Sequence, residues 1–163
     1  MKLILHIGTG KTGTTSVQTA FHNNQENLRS LKISYPPGDT KDHNILEASV
    51  LEFENLHRVY RSLYSGTRDM PKKIAMDLIK KIKSTNSDYV ILSGEYFFAL
   101  SIPKAKNLLN ILEIRPEDVK VVCYVRNPSS YWLSGVQQYL KGSWNLDGII
   151  AARYKFKNGL TNW

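Results

Sequence analysis

One short segment constrains this chain more than any other: Gly8–Thr15, which reads GTGKTGTT. It follows an apolar run, Leu3–Ile7, typical of a buried strand, and it precedes a helical pattern that includes Val17 and Phe21. A glycine-rich turn between a strand and a helix directs its backbone N–H groups at one point, where the helix adds about half a positive charge. Lys11 adds a full charge, and the threonines add hydroxyl donors. The segment therefore predicts an anion site, and phosphate is the usual occupant of such a site.

Two common nucleotide loops match this segment only in part. Gly8, Gly10 and Gly13 have the spacing of a dinucleotide fingerprint, which also requires an acidic residue about 20 positions further on. The next apolar segment, Ile33–Tyr35, runs into two prolines without a carboxylate. The P-loop of nucleoside triphosphatases needs a glycine five residues before its second glycine, and Leu5 stands there. A nucleotide-binding P-loop or Rossmann-type protein, either a kinase, an NTPase or an NAD-dependent oxidoreductase, remains the alternative.

A second motif follows another buried-strand pattern, Val119–Val125. Arg126 comes directly after it, Pro128 suits the first turn of a helix, and Ser134 lies about two turns into that helix. Ligands of open α/β sheets bind at the carboxyl ends of strands, so Arg126 and Ser134 are expected to share one phosphate. A charge-assisted bond of this kind contributes roughly 1.5–3 kcal/mol. An ion pair of Arg126 with a carboxylate, beside a serine on a helix face, is the simpler alternative.

Together the two motifs resemble the sulfotransferases that use 3′-phosphoadenosine-5′-phosphosulfate (PAPS), especially the bacterial and carbohydrate-type members. Their 5′-phosphosulfate loop is similar to Lys11–Ser16 (KTGTTS), and their 3′-phosphate motif has the spacing of Arg126, Pro128 and Ser134. The family often has a basic residue where Tyr131 stands here. The resemblance implies PAPS as the donor, 3′-phosphoadenosine-5′-phosphate as its product, and no metal. The residues implied to bind the donor are Lys11, Thr12, Gly13, Thr14, Thr15, Ser16, Arg126 and Ser134.

The resemblance also implies in-line transfer of the sulfuryl group to an acceptor hydroxyl or amine, assisted by a base. Glu95 follows a buried-strand pattern, Tyr89–Leu92, and is expected at the same rim as the loop. Carbohydrate-type members have a glutamate in a similar Ser-x-Glu context, whereas other members use a histidine, for which His43 is the rival candidate. Alternatively, Glu95 caps a helix or forms an ion pair, and His43 caps the helix that follows it. Lys11 is implied to stabilise the charge on the departing 5′-phosphate.

The remaining histidines are expected to have structural or solvent-exposed positions. His6 lies within the first strand pattern and is predicted to be a core residue. His22 and His57 are predicted on solvated helix faces.

Composition limits the other functions. The net charge of +8 favours anionic partners, yet no aromatic-interleaved or helix-turn-helix pattern accompanies it, so nucleic acid is not expected. The lysines of the predicted helix 71–84 either form a solvated helix face or bind an anionic acceptor. The lone Cys123 cannot form an internal disulfide, and no apolar stretch approaches the 18 residues of a membrane span. We therefore expect a cytoplasmic protein. The resemblance implies an enzyme whose acceptor is a carbohydrate or glycolipid, either neutral or anionic; a non-catalytic nucleotide-binding module is the other alternative.

The predicted fold is a three-layer, P-loop-like α/β domain, with a mostly parallel sheet flanked by helices on both faces. A single sulfotransferase-like domain, 1–163, is expected. Because the family it resembles usually continues past this point, we expect the domain to be truncated at its C-terminus. Predicted strands cover 2–7, 33–35, 88–93 and 119–126. Predicted helices cover 15–31, 43–64, 71–84, 96–100, 103–113 and 128–140, with linkers at 36–40, 65–70 and 141–144.

Overall fold

The computed structural model describes residues 1–9, 11–38 and 40–141, with side chains as far as Gln137. The chain divides into two compact units, Met1–Val125 and Arg126–Trp163, which are described separately. The residues outside this description are Gly10, Asp39 and 142–163, which include all but the first residue of the predicted linker 141–144.

The first unit is built on a parallel sheet of four strands in the order β2-β3-β1-β4. The strands are β1 (Lys2–Gly8), β2 (Ile33–Ser34), β3 (Tyr89–Ser93) and β4 (Val119–Tyr124). In register, His6 of β1 lies beside Ser93 of β3, and Gly8 lies beside Tyr124 of β4. Parallel strands need crossover connections, which the helices supply. The predicted α/β class with parallel strands is confirmed.

The helices of the first unit alternate with these strands. They are α1 (Thr14–Asn23), α2 (Gln25–Ser30), α3 (Arg58–Leu63), α4 (Met70–Lys83) and α5 (Ile102–Leu112). Short 3-10 segments cover Asn44–Ser49, Phe53–Asn55, Tyr96–Ala99 and Pro116–Asp118. No helix in the described part of the chain is long and apolar enough to cross a membrane.

Two predicted helices are interrupted. The predicted helix 15–31 breaks at Asn24, where φ is −111° and the side-chain amide donates to the carbonyl oxygen of Ala20 at 2.8 Å. Asparagine competes for backbone hydrogen bonds in this way and favours helix ends. The predicted helix 43–64 becomes two 3-10 segments and the short α3, with Glu52 and Leu56 extended. The N–H of His57 donates to the buried carboxylate of Glu47 at 2.8 Å, a tertiary contact that helical periodicity does not reveal.

The main core lies on one face of the sheet, against α4 and α5. Leu3 of β1 and Val90 and Leu92 of β3 are almost completely buried there. Helix α4 buries the stripe Ala75, Leu78, Ile79 and Ile82, which has the i, i+3, i+4, i+7 spacing of an amphipathic helix. Its lysines, namely Lys72, Lys73, Lys80, Lys81 and Lys83, are exposed, and three of them form ion pairs with nearby carboxylates. The solvated-face interpretation of this helix accounts for these contacts.

Strand β4 forms where the sequence predicts it, but its predicted burial is wrong. It pairs with β1 and lies at the edge of the sheet that the described residues form. Val121 is 55% exposed, and Cys123 is also exposed. An apolar run predicts a strand, but it does not distinguish a central strand from an edge strand, because that depends on the neighbours brought by the rest of the chain.

In the second unit, the described residues form helix α6 (Pro128–Lys141). Asn127 precedes it, and its side-chain oxygen accepts from the N–H of Ser129 at 3.0 Å. The backbone oxygen of Asn127 accepts from the N–H of Tyr131 at 2.9 Å. Proline in the first turn and an asparagine cap are both favourable at this end of a helix, and the predicted helix 128–140 is confirmed.

Candidate functional site

The glycine-rich segment forms the turn between β1 and α1. Gly13 adopts φ = 88° and Lys11 adopts φ = 69°, so both lie in the left-handed region. Glycine adopts this conformation freely, whereas a residue with a side chain loses roughly 1 kcal/mol or more. Such strain concentrates at functional sites, and here it falls on the only lysine of the turn.

The turn is stabilised by a hydrogen bond within it and by close packing against β4. The hydroxyl of Thr12 donates to the carbonyl oxygen of Thr9 at 2.7 Å. A Cβ atom at Gly8 would lie 2.9 Å from that hydroxyl oxygen and 3.2 Å from the carbonyl oxygen of Tyr124. Glycine at position 8 therefore permits the close approach of β4, and the Thr12 hydroxyl shapes the loop in this structure.

Helix α1 begins directly after the turn. The carbonyl oxygen of Gly13 accepts from the N–H groups of Ser16 and Val17, at 3.1 Å and 3.4 Å. The first N–H groups of an α-helix have no acceptor within the helix, and they carry part of its positive end. Lys11, Thr15 and Ser16 are exposed at this end, where an anion can reach them.

Glu95 meets the same turn. The buried Thr14 hydroxyl, at the first position of α1, donates to Oε1 of Glu95. Glu95 is half-buried and follows β3 by two residues. Because β1 and β3 are neighbours in a parallel sheet, their carboxyl ends lie at one edge. The structure thus brings together the loop and the carboxylate that the sequence assigned to this rim. The Thr14 hydroxyl has one proton to donate, and here that proton goes to Glu95.

The segment around Glu95 is sterically constrained. A Cβ atom at Gly94 would lie 2.8 Å from Oδ1 of Asn44 and 2.9 Å from the ring of Phe97. The same Asn44 oxygen accepts from the N–H of Tyr96 at 3.0 Å. Glu95 was predicted from the sequence and Asn44 was not, because 52 residues separate Asn44 from Tyr96 and no local pattern connects them.

His6 lies beneath this rim, on the sheet face opposite the main core. It is 3% exposed, and its Nδ1 forms a 2.7 Å hydrogen bond with the hydroxyl of Ser93. Its Nε2 is buried without a hydrogen-bond partner among the described residues. Burial lowers the pKa of His6, and the charge of Glu95 opposes that shift. The prediction that His6 is a core residue agrees with this position.

His43, the rival base, is a buried bridge between two segments. It is 1% exposed, its Nε2 donates to the carbonyl oxygen of Pro36 at 2.9 Å, and its Nδ1 accepts from the N–H of Ser93 at 3.0 Å. Burial lowers its pKa to about 4. The ring forms no side-chain cap on the 3-10 segment that follows it. Both ring nitrogens of His43 thus bond to backbone groups.

We expect the substitution His43→Gln to destabilise the protein by about 2–4 kcal/mol at pH 7, because both backbone partners of the ring lose a buried hydrogen bond. The ring has a pKa near 4 when folded, against an ordinary value of 6.5, so unfolded chains bind protons more readily. Stability is therefore lost as pH falls from about 6.5 towards 4. Urea unfolding at pH 7 and pH 5 should show that the free energy of unfolding falls less between these pH values in His43→Gln than in the parent.

The matched control for this prediction is His22→Gln, because His22 is half-buried on α1 and its Nδ1 contacts Gln25 at 3.5 Å. It should retain both the stability and the pH response of the parent. An equal pH response in His43→Gln and the parent would contradict the assignment to His43.

An aromatic cluster beside Glu95 was not predicted. The ring of His57 stacks on that of Tyr96, with centroids 4.0 Å apart and planes 25° apart. His57 is half-buried and occupies the residue before α3, where its Nδ1 accepts from the N–H of Val59 at 3.4 Å. The predicted position of His57 on a solvated helix face is therefore wrong. The reason is the break in the predicted helix 43–64, which turns His57 towards Tyr96.

The 3′-phosphate motif belongs to the second unit. Arg126 precedes α6 and is exposed, and Ser134 lies within α6 and is half-buried. Their shared role in binding stays a prediction. Among the residues that the structure describes, no group of three or more His, Cys, Asp or Glu is arranged to hold a metal ion.

Comparisons with known proteins found no match for this chain. No protein-family model, curated protein or solved structure matches this chain. The candidate site is thus defined by its own geometry: an exposed lysine in a strained turn, the start of α1, and a carboxylate held by Thr14.

Proposed function

We propose that this protein is a sulfotransferase with a P-loop-like fold, which uses PAPS to sulfate a hydroxyl group of a carbohydrate or glycolipid. The observation that carries the proposal is the hydrogen bond from Thr14 to Glu95. It joins an anion-binding loop to a group that can remove a proton, and group transfer to a hydroxyl requires both functions at one place.

The exposed groups of the turn suit the phosphosulfate end of PAPS. Lys11 offers a cationic donor, Thr15 and Ser16 offer hydroxyls, and the start of α1 offers backbone N–H groups. This set of donors favours an anion. The resemblance assigns Arg126 and Ser134 to the 3′-phosphate. PAPS supplies an activated sulfuryl group joined through oxygen to its 5′-phosphate.

Each residue then has a defined task. Glu95 accepts the proton of the attacking hydroxyl as the new S–O bond forms. Lys11 stabilises the negative charge that develops on the 5′-phosphate when the old S–O bond breaks. The Thr14 hydroxyl holds Oε1 of Glu95, and the second carboxylate oxygen is the one we assign to the proton transfer. Thr12 maintains the loop through its bond to Thr9.

The proposal is tested by calorimetric titration with 3′-phosphoadenosine-5′-phosphate, ATP and NAD⁺. We expect the bisphosphate to bind most tightly, and Lys11→Ala and Arg126→Ala each to weaken it by about 10- to 150-fold, the equivalent of one charge-assisted bond. The exposed Lys104 and Arg29 provide the controls Lys104→Ala and Arg29→Ala, which should bind like the parent.

Preference for NAD⁺ would favour an oxidoreductase, and preference for ATP would favour a kinase or NTPase. Tight binding of the bisphosphate without transfer from PAPS to any acceptor would favour a non-catalytic module. Failure to bind any of the three compounds would contradict the donor site.

A further inference from the structure

The aromatic cluster next to Glu95 consists of His57, Tyr60 and Tyr96. Tyr96 is the residue after Glu95, and its ring stacks on that of His57 at 4.0 Å. The ring of Tyr60 meets Tyr96 edge-on, with centroids 5.8 Å apart. All three side chains are half-buried, so each keeps part of its surface open to solvent. A partly open aromatic surface therefore adjoins the candidate base.

Buried polar groups hold the His57–Tyr96 stack in place through its backbone. The N–H of Tyr96 donates to Oδ1 of Asn44 at 3.0 Å, and the N–H of His57 donates to the carboxylate of Glu47 at 2.8 Å. Asn44 is 8% exposed and Glu47 is 4% exposed. Aromatic side chains have few rotatable bonds, so rings fixed in this way lose little entropy when they contact a ligand.

Charged residues adjoin the cluster in the chain on both sides: arginines follow His57, and Glu95 precedes Tyr96. Arg58 and Arg61 follow His57 on α3, and both are exposed. Burial lowers the pKa of His57, the charges of Arg58 and Arg61 lower it further, and Glu95 raises it. Burial raises the pKa of Tyr96 to about 12; Glu95 acts in the same direction and Arg58 in the opposite one. Both rings thus feel the field of the guanidinium group and of the carboxylate.

We propose that His57, Tyr96 and Arg58 form the acceptor subsite and that it takes an anionic saccharide, an inference that rests on the proposed function. The aromatic stack offers a flat, partly apolar surface for a sugar ring. The guanidinium of Arg58 offers paired donors for a carboxylate or sulfate group on that sugar. Glu95, next to Tyr96 in the chain, is then close to a sugar hydroxyl. A neutral sugar would use the rings but leave Arg58 without a ligand group.

The test compares two tetrasaccharides of equal length, one containing glucuronate and one composed of neutral glucose. Each is titrated into the whole chain by NMR and calorimetry, with and without 3′-phosphoadenosine-5′-phosphate. We expect the glucuronate tetrasaccharide to bind at least tenfold more tightly than the neutral one. Arg58→Gln should weaken it by roughly fivefold to tenfold, and Tyr96→Ala should weaken both sugars. Arg68→Gln is the control, because Arg68 is also exposed but pairs with Glu54.

The bisphosphate titration separates the two proposals. Unchanged bisphosphate binding in Arg58→Gln shows that the variant is folded and that the donor site is intact. Equal binding of both tetrasaccharides, no saccharide binding at all, or equal effects of Arg58→Gln and Arg68→Gln would overturn the acceptor subsite while leaving the donor site standing. If the parent does not bind 3′-phosphoadenosine-5′-phosphate, the proposed function itself is overturned.

Discussion

Replacing Glu95 by glutamine is expected to lower sulfuryl transfer by about 10²–10⁴-fold, the usual contribution of a positioned base. Glutamine has the same shape, and its Oε1 can still accept the hydrogen bond from Thr14, so the loop should keep its arrangement. Its amide cannot accept a proton at neutral pH. We therefore expect the affinity for 3′-phosphoadenosine-5′-phosphate to remain close to that of the parent.

The measurement follows transfer of labelled sulfate from PAPS to a panel of oligosaccharides, beside calorimetric titration with the bisphosphate. Glu113→Gln is the matched control. Glu113 is an exposed glutamate that pairs with Lys83, and neither residue belongs to the glycine-rich turn. Equal losses of turnover and donor affinity in Glu95→Gln would contradict its role as a base and indicate a structural role. Full turnover would require another base.

Replacing Lys11 by alanine is expected to slow transfer by about 10²–10³-fold, the loss typical of removing one pre-organised donor to developing charge. Lys11 also occupies the left-handed region with φ = 69°, so its side chain and its backbone conformation must be separated. Alanine removes the amine and keeps the strain, whereas glycine removes both. Lys11→Gly should therefore be about 1 kcal/mol more stable than Lys11→Ala, with an equal loss of rate.

The two variants are compared by transfer rate and by urea unfolding. Equal rate losses with different stabilities would assign the effect to the lysine charge. A Lys11→Gly variant that keeps its activity while Lys11→Ala loses it would show that backbone conformation, and not charge, is what the loop requires of this position.

Much of the fold follows from local patterns. The apolar runs at Leu3–Ile7 and Tyr89–Leu92 predict β1 and β3, and the stripe in α4 predicts its buried face. These elements depend on spacing within a few residues, which is visible along the chain. The parallel arrangement follows as well, because strands separated by helices need crossover connections. Two helix breaks were not predicted. At Asn24 the side-chain amide competes for the carbonyl oxygen of Ala20, and within 43–64 the N–H of His57 donates to the carboxylate of Glu47.

The sequence by itself determined that a glycine-rich turn with a lysine joins a strand to a helix, and that Glu95 follows another strand at the same edge. Only the tertiary structure decided that Thr14 donates to Glu95 across 81 residues, that His43 is held between Pro36 and Ser93, and that His57 stacks on Tyr96. The reason is physical: a turn or a strand is specified by neighbouring residues. A contact between distant side chains depends on how whole elements pack, and no local spacing encodes that packing.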